Sequence, residues 1–283
     1  VMGALLFAGT AAAQLSGTYT VNSAGGADFS SLTAVVDTLN SNGVSGAVTI
    51  NVVASSGPYS GALEFDEVIG TATNTIVLNG NGTTVSTSGS RTIQIGGCEY
   101  LTINDFVIEN TGNGTQTRCV QIRDESDYIN ITNNELNMPN MTSTSNSNMY
   151  LYIGNGTTSV YSYSSAGSNC LIQNNETNGP VNAGPYFGMF TIDQNSNTDT
   201  DPNKFDNNDI KNWRSYGFHA YYSDIGFEFT NNDVHNTGNT SNNFMYGVYL
   251  YNYFASGEMK ITGNRVFNLD NGGSNTKFGM YIY

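Results

Sequence analysis

An all-β, right-handed parallel β-helix with a short N-terminal capping helix is the fold that this 283-residue sequence predicts. Three observations lead there: a repeat of about 30 residues, apolar alternation inside each repeat, and a composition hostile to long helices. Gly (32), Tyr (18) and abundant Asn, Ser and Thr disfavour helix interiors, while few Pro (5) and no charged blocks argue against disorder.

The repeat has two alternating motifs. The first is a small or polar residue followed by alternating apolar positions, as in Thr92-Ile93-Gln94-Ile95, Cys119-Val120-Gln121-Ile122, Asn148-Met149-Tyr150-Leu151 and Gly188-Met189-Phe190-Thr191. It continues through Gly217, Gly247 and Gly279. The second motif is Ile131-Thr132-Asn133-Asn134-Glu135-Leu136, with copies at 101–106, 172–177, 205–210, 229–234 and 261–266. A unit with two short strands cannot bury an apolar face alone, so it must stack on its neighbours. An antiparallel sandwich would need turns every 8–12 residues or so, and nothing repeats on that scale.

The elements follow in order. Residues 1–13 end in Ala11-Ala12-Ala13 and have the apolar run and small-residue site of a secretory signal. Residues 14–60 make an N-terminal cap and first strand. Phe29, Leu32, Val35, Val36 and Leu39 fall on one helical face, capped by Asp28 or Ser30 and stopped by Asn40 to Gly43. That helix would cover the open end of the stack. Residues 61–283 supply the coils, and the chain breaks off in the first strand of one, so further domains of a longer chain are expected.

Three segments carry a family resemblance. Tyr246-Gly247-Val248-Tyr249-Leu250 and Met259 to Val266 resemble the parallel β-helix repeat of pectate-lyase-like and carbohydrate-binding surface proteins. Gly17-Thr18-Tyr19-Thr20-Val21 through Val53 resembles the cap region of large exported bacterial β-helix proteins. The resemblance implies a secreted or cell-surface protein that meets carbohydrate. It does not carry an activity, because the scaffold hosts many functions.

Charge narrows the partners. With 23 acidic against 9 basic residues the net charge is −14, which excludes tracking of a nucleic-acid backbone. No run approaches the ~20 apolar residues of a membrane span. Cys98, Cys119 and Cys170 fit no zinc spacing and read as small buried hydrophobes. No cofactor is required by any motif.

Candidate sites come from the outward positions. One column is expected to hold Gln94, Gln121, Tyr150, Phe190, His219, Tyr249 and Tyr281. The next holds Gly96, Arg123, Tyr152, Ile192, Tyr221, Tyr251 and Tyr283. Tyr150, Tyr152, Tyr221, Tyr249, Tyr251 and Tyr281 would then form an exposed face suited to stacking on sugar rings, unless inserts cover it or the stacking merely stabilises the sheet. A third column, Asp105, Glu135, Glu176, Asp209 and Asp233 ending at Arg265, reads as a solvated acidic face, a calcium-bridged one, or a source of paired catalytic carboxylates. Asp209, Asp233 and His219 are the catalytic candidates. Asp199, Asp201 and Asn203 have an oxygen-rich spacing that could take calcium but lack the rest of an EF-hand loop. The hallmark signatures of pectin-cleaving relatives are missing, and Arg123 and Arg214 sit in no lyase motif. Three readings stay open: a module for glycan binding or adhesion, a polysaccharide lyase or glycoside hydrolase, and a structural spacer.

Overall fold

The structure, a computed structural model, describes residues 13–156, 160–161, 166–181, 183–193, 202–223, 226–236, 244–251, 259–269 and 275–283. The expected signal segment lies almost wholly outside these residues. Every strand pairing among them is parallel, and each strand pairs with its counterpart one coil away. That pattern is a parallel β-helix.

Two faces dominate. An eight-stranded sheet runs from Leu63–Asp66 through Arg91–Gly96, Arg118–Arg123, Met149–Ile153, Phe187–Asp193, Tyr216–Ser223 and Met245–Tyr251 to Lys277–Ile282. A fifteen-stranded sheet carries the rest of each coil, apart from a two-stranded corner pairing Ser126–Asp127 with Gly167–Ser168. Between the faces runs one apolar interior. Val120, Leu151, Met189, Phe218 and Val248 stack in register from one side, and Ile131, Ile172, Phe205 and Phe229 from the other, all buried.

The helix spans Leu32–Asn42 and buries Leu32, Val35, Val36 and Leu39. Its cap is neither Asp28 nor Ser30. Ser31 is extended and its hydroxyl accepts from the Ala34 N–H at 3.1 Å, while Asp28 instead accepts from the backbone and hydroxyl of Thr20. Gly43 ends the helix at φ 64°, a left-handed conformation that glycine adopts without side-chain conflict.

The corner of the second motif is held by asparagine. Asn133, Asn174, Asn207 and Asn231 take φ between 53° and 57°, a region asparagine tolerates better than most residues. The residue after each is a buried asparagine. Asn134 donates its amide to the carbonyl of Ile103 (3.0 Å) and its N–H to the Asn175 side chain (3.0 Å). Asn175, Asn208 and Asn232 repeat the arrangement, ending on Asn264. Asn104 is not in this series. In its coil Asp105 has the left-handed conformation and Phe106 takes the inner place, its N–H donating to Asn134. The sequence alignment of that coil is therefore two residues out, since Ile103 and not Leu101 pairs with Ile131. Asn104 belongs to an outer succession, accepting from Asn133 and donating to Asn79.

Candidate functional site

The outer surface of the eight-stranded sheet carries three lanes of rings, and a short motif explains them. Phe187-Gly188-Met189-Phe190, Tyr216-Gly217-Phe218-His219, Tyr246-Gly247-Val248-Tyr249 and Phe278-Gly279-Met280-Tyr281 share the pattern aromatic, glycine, apolar, aromatic. The glycine faces inward at a bend. A Cβ on Gly217 would lie 2.3 Å from Val234 and 2.6 Å from the Gly247 carbonyl, so no larger residue fits. Turning in at the glycine breaks simple alternation and returns both flanking aromatics to the outer face.

The first lane, Phe187, Tyr216, Tyr246 and Phe278, stacks at 5.1, 5.1 and 5.0 Å between centroids. Sequence alternation alone missed it, and the paired-aromatic spacing is the signal that finds it. The second lane is Tyr152, Phe190, His219, Tyr249 and Tyr281, with neighbours 4.7–5.5 Å apart. The third is Tyr221, Tyr251 and Tyr283 at 4.9 and 5.0 Å.

Two of the six expected face tyrosines are misplaced. Tyr150 and Tyr152 are fully buried. The expected register set Met149 against Val120 and Met189, but Leu151 pairs with both, a slip of two residues. Tyr152 thereby moves into the second lane, where it donates to the Val160 carbonyl at 2.6 Å and lies under the Arg118 guanidinium. Tyr150 falls at the inward position held by Cys119 and Gly188 in adjacent coils, and donates to the Asn212 carbonyl at 3.0 Å. Burial pushes its phenol pKa well up.

Exposure changes along the lanes. Phe187, Phe190 and His219 are buried, and Tyr161 packs from outside against Phe190, His219 and Tyr221. Tyr216, Tyr221, Tyr246, Tyr249, Tyr251 and Tyr281 are half-buried, and Tyr283 is exposed. Within most lane neighbours the planes lie within about 30° of parallel, whereas Tyr249 stands at 84° to His219. At a coil spacing near 5 Å such rings cover one another's faces in offset stacks. Solvent therefore meets ring edges and hydroxyls, not the free flat faces that the sequence suggested. Burial and the neighbouring phenols Tyr281 and Tyr186 raise the Tyr246 pKa, and burial with Tyr246, Tyr281 and Tyr283 raises that of Tyr249. Tyr246 and Tyr249 thus present neutral phenols that can donate and accept hydrogen bonds.

Toward the N-terminus the same lanes turn polar. Arg91 and Arg118 continue the first, Gln94 and Gln121 the second, and Arg123 the third. Arg118 is buried and donates to Gln121 Oε1 (2.8 Å) and the Gly156 carbonyl (2.9 Å), and burial lowers its pKa to about 10. Arg91 donates to the same Gln121 oxygen.

The catalytic candidates are dispersed. His219 is 2% exposed, and burial drives its pKa down to about 3. Asp209 and Asp233 do pair across coils on the other sheet, with Glu135 and Glu176 beyond them, but Val107 rather than Asp105 occupies the next place. Asp209, Asp233 and Glu176 each meet a basic side chain. Asp209 meets His235 Nε2 at 2.7 Å and Lys211 at 3.6 Å, Asp233 takes both arms of Arg265, and Glu176 pairs with Lys211. Partial burial opposes ionisation of Asp209, but His235 and Lys211 outweigh it and its pKa falls. Asn203 is buried, accepting from the Cys170 N–H at 3.0 Å and donating to the Gly167 carbonyl at 2.8 Å, which is a coil-to-coil structural role. Asp199 and Asp201 lie outside the described residues. Among the described residues no three His, Cys, Asp or Glu side chains group to hold a metal, and no helix is long and apolar enough to cross a membrane.

No model of a protein family matches the sequence, and no curated protein matches it. Among solved structures, pectin methylesterase from Aspergillus niger in deglycosylated form is similar at a TM-score of 0.47 and 11% identity. The match covers 94% of this chain and 90% of that one. The same enzyme in penultimately deglycosylated form gives 0.48 and 12%, with the same coverage. The β-helix assignment stands on the parallel pairing of successive coils.

Proposed function

We propose that the protein is a secreted or cell-surface module that binds glycan, with the tyrosine strip from Tyr216 to Tyr283 as its recognition surface. The carrying observation is the three lanes of half-exposed, hydroxyl-bearing rings held in register at about 5 Å. Rings locked by their neighbours lose little side-chain freedom on binding. Their hydroxyls repeat along the axis and suit a polymer of hydroxylated units, and their lack of charge suits a neutral polysaccharide. An apolar N-terminal segment ending in alanines supports export, and the resemblance to exported β-helix proteins supports a place within a longer surface chain.

Retention on a polysaccharide array tests the reading. Because edges and hydroxyls meet the ligand, Tyr249→Phe with Tyr251→Phe should weaken binding, each lost hydrogen bond costing about 0.5–1.5 kcal/mol, or roughly 2- to 12-fold. Face stacking would leave the Phe variant unchanged. Wild type retained on no polysaccharide would reject the glycan reading and favour a spacer, and release of new reducing ends would favour an enzyme.

A further inference from the structure

On a corner remote from the strip, two tyrosines sit where the coil least favours them. Tyr100 and Tyr128 both have φ 53°, a left-handed conformation that glycine and asparagine enter readily and aromatic residues rarely adopt. They hold equivalent places in successive coils. The Gly70 N–H donates to Glu99, Tyr100 to Asp127 and Tyr128 to Ser168, at 3.0, 3.1 and 3.3 Å. Gly70 thus precedes the pair, and Asn169, itself at φ 51°, follows it. Among the described residues the column holds these two rings. Their centroids are 4.4 Å apart with planes 12° from parallel, the shortest separation of any tyrosine pair stacked along the described coils. Tyr128 is 38% exposed. Cys98, Cys119 and Cys170 are all buried and none forms a disulfide, so no disulfide joins the coils.

We propose that Tyr100 and Tyr128 are an oxidative coupling site, at which a peroxidase with hydrogen peroxide joins the two rings and staples one coil to the next. Each phenol gives up one electron and one proton to form a phenoxyl radical. The two radicals pair at ring carbons ortho to the oxygens, forming one C–C bond. The hydrogen on each joined carbon then moves to the phenolic oxygen, restoring both aromatic rings. The peroxide takes up two electrons and two protons and leaves as two waters, so the protein loses two hydrogens. Equivalent places in paired coils and ring stacking hold the partners together before oxidation, which makes coupling intramolecular and favours this pair over tyrosines that must find a partner. The inference is independent of the glycan reading, because neither ring belongs to the strip.

The test treats the full chain with a haem peroxidase and hydrogen peroxide, then digests it with trypsin. Cleavage at Arg118 and Arg123 places the two tyrosines on different peptides, so coupling appears as a joined pair lighter by two hydrogens. The expected result is a monomeric product in which the Tyr100–Tyr128 peptide dominates over all other couplings. Tyr128→Phe keeps the ring and its stacking but removes the phenol. It should lower that joined peptide by about ten-fold or more, with the circular dichroism spectrum unchanged. Coupled wild type should also unfold at higher urea than coupled Tyr128→Phe. Coupling elsewhere without this pair, coupling only between molecules, or no coupling at all would overturn the proposal. Tyr100→Phe provides the same comparison should Tyr128→Phe lose its fold.

Discussion

His219 is the group whose protonation the fold most strongly resists, and replacing it with phenylalanine turns that resistance into a measurable quantity. The imidazole stacks on Phe190 at 4.7 Å and on Tyr216 at 5.0 Å, and meets Tyr249 edge-on at 4.8 Å. Neither ring nitrogen has a hydrogen-bond partner among the described residues. Burial depresses its pKa from 6.5 to about 3. Below pH 6.5 the unfolded chain takes up a proton that the folded chain refuses, so stability is lost as pH falls and the loss levels off near pH 3. At 1.36 kcal/mol per pKa unit, the loss is about 2 kcal/mol at pH 5. Phenylalanine already fills the preceding lane position as Phe190, so His219→Phe should fold. It should gain roughly 1 kcal/mol at neutral pH by removing two unpaired nitrogens. The gap should widen by about 2 kcal/mol between pH 8 and pH 5. Urea unfolding followed by near-ultraviolet circular dichroism measures this directly. His235 is common to both proteins and cancels in the difference. Variant and wild-type stabilities that stay parallel across this range would show that the imidazole is protonated in place, and the burial argument would fail.

Other outcomes follow from the coil contacts. Asn208→Ala should lower stability by about 2–3 kcal/mol in urea unfolding, because it strips partners from the Ile172 carbonyl and from the Asn175 N–H inside the stack. Tyr150→Phe should cost about 1 kcal/mol by the same measurement, leaving the Asn212 carbonyl without its phenol donor. Gly217→Ala should cost about 1–3 kcal/mol or more, since the new methyl meets Val234 and the Gly247 carbonyl. Gly279→Ala, with nothing within 4 Å of its added Cβ, should shift stability by less than about 0.5 kcal/mol.

How much of this was legible in the sequence depended on what each residue had to satisfy. The inner columns were readable because Val248, Phe218 and Ile172 obey period-two alternation, and one buried face fixes register strongly. Register failed where alternation was preserved by the wrong shift. Moving the Met149 coil by two residues keeps apolar side chains inward, so pattern alone could not separate Met149 from Leu151 as the partner of Val120. The choice was made by tertiary contacts: Tyr150 finds a carbonyl 62 residues away, and Tyr152 finds Val160 and Arg118. The same limit explains the strip. Aromatics could be read as outward from their places in the motif, but the orientation of their faces is set by the coil spacing and by the rings above and below. Because each ring's neighbours are the corresponding residues of adjacent coils, a column of tyrosines stabilises itself first and offers a ligand what remains. What remains here is edges and hydroxyls, and this is why hydroxyl removal at Tyr249 and Tyr251, not ring removal, is the substitution that separates recognition from packing.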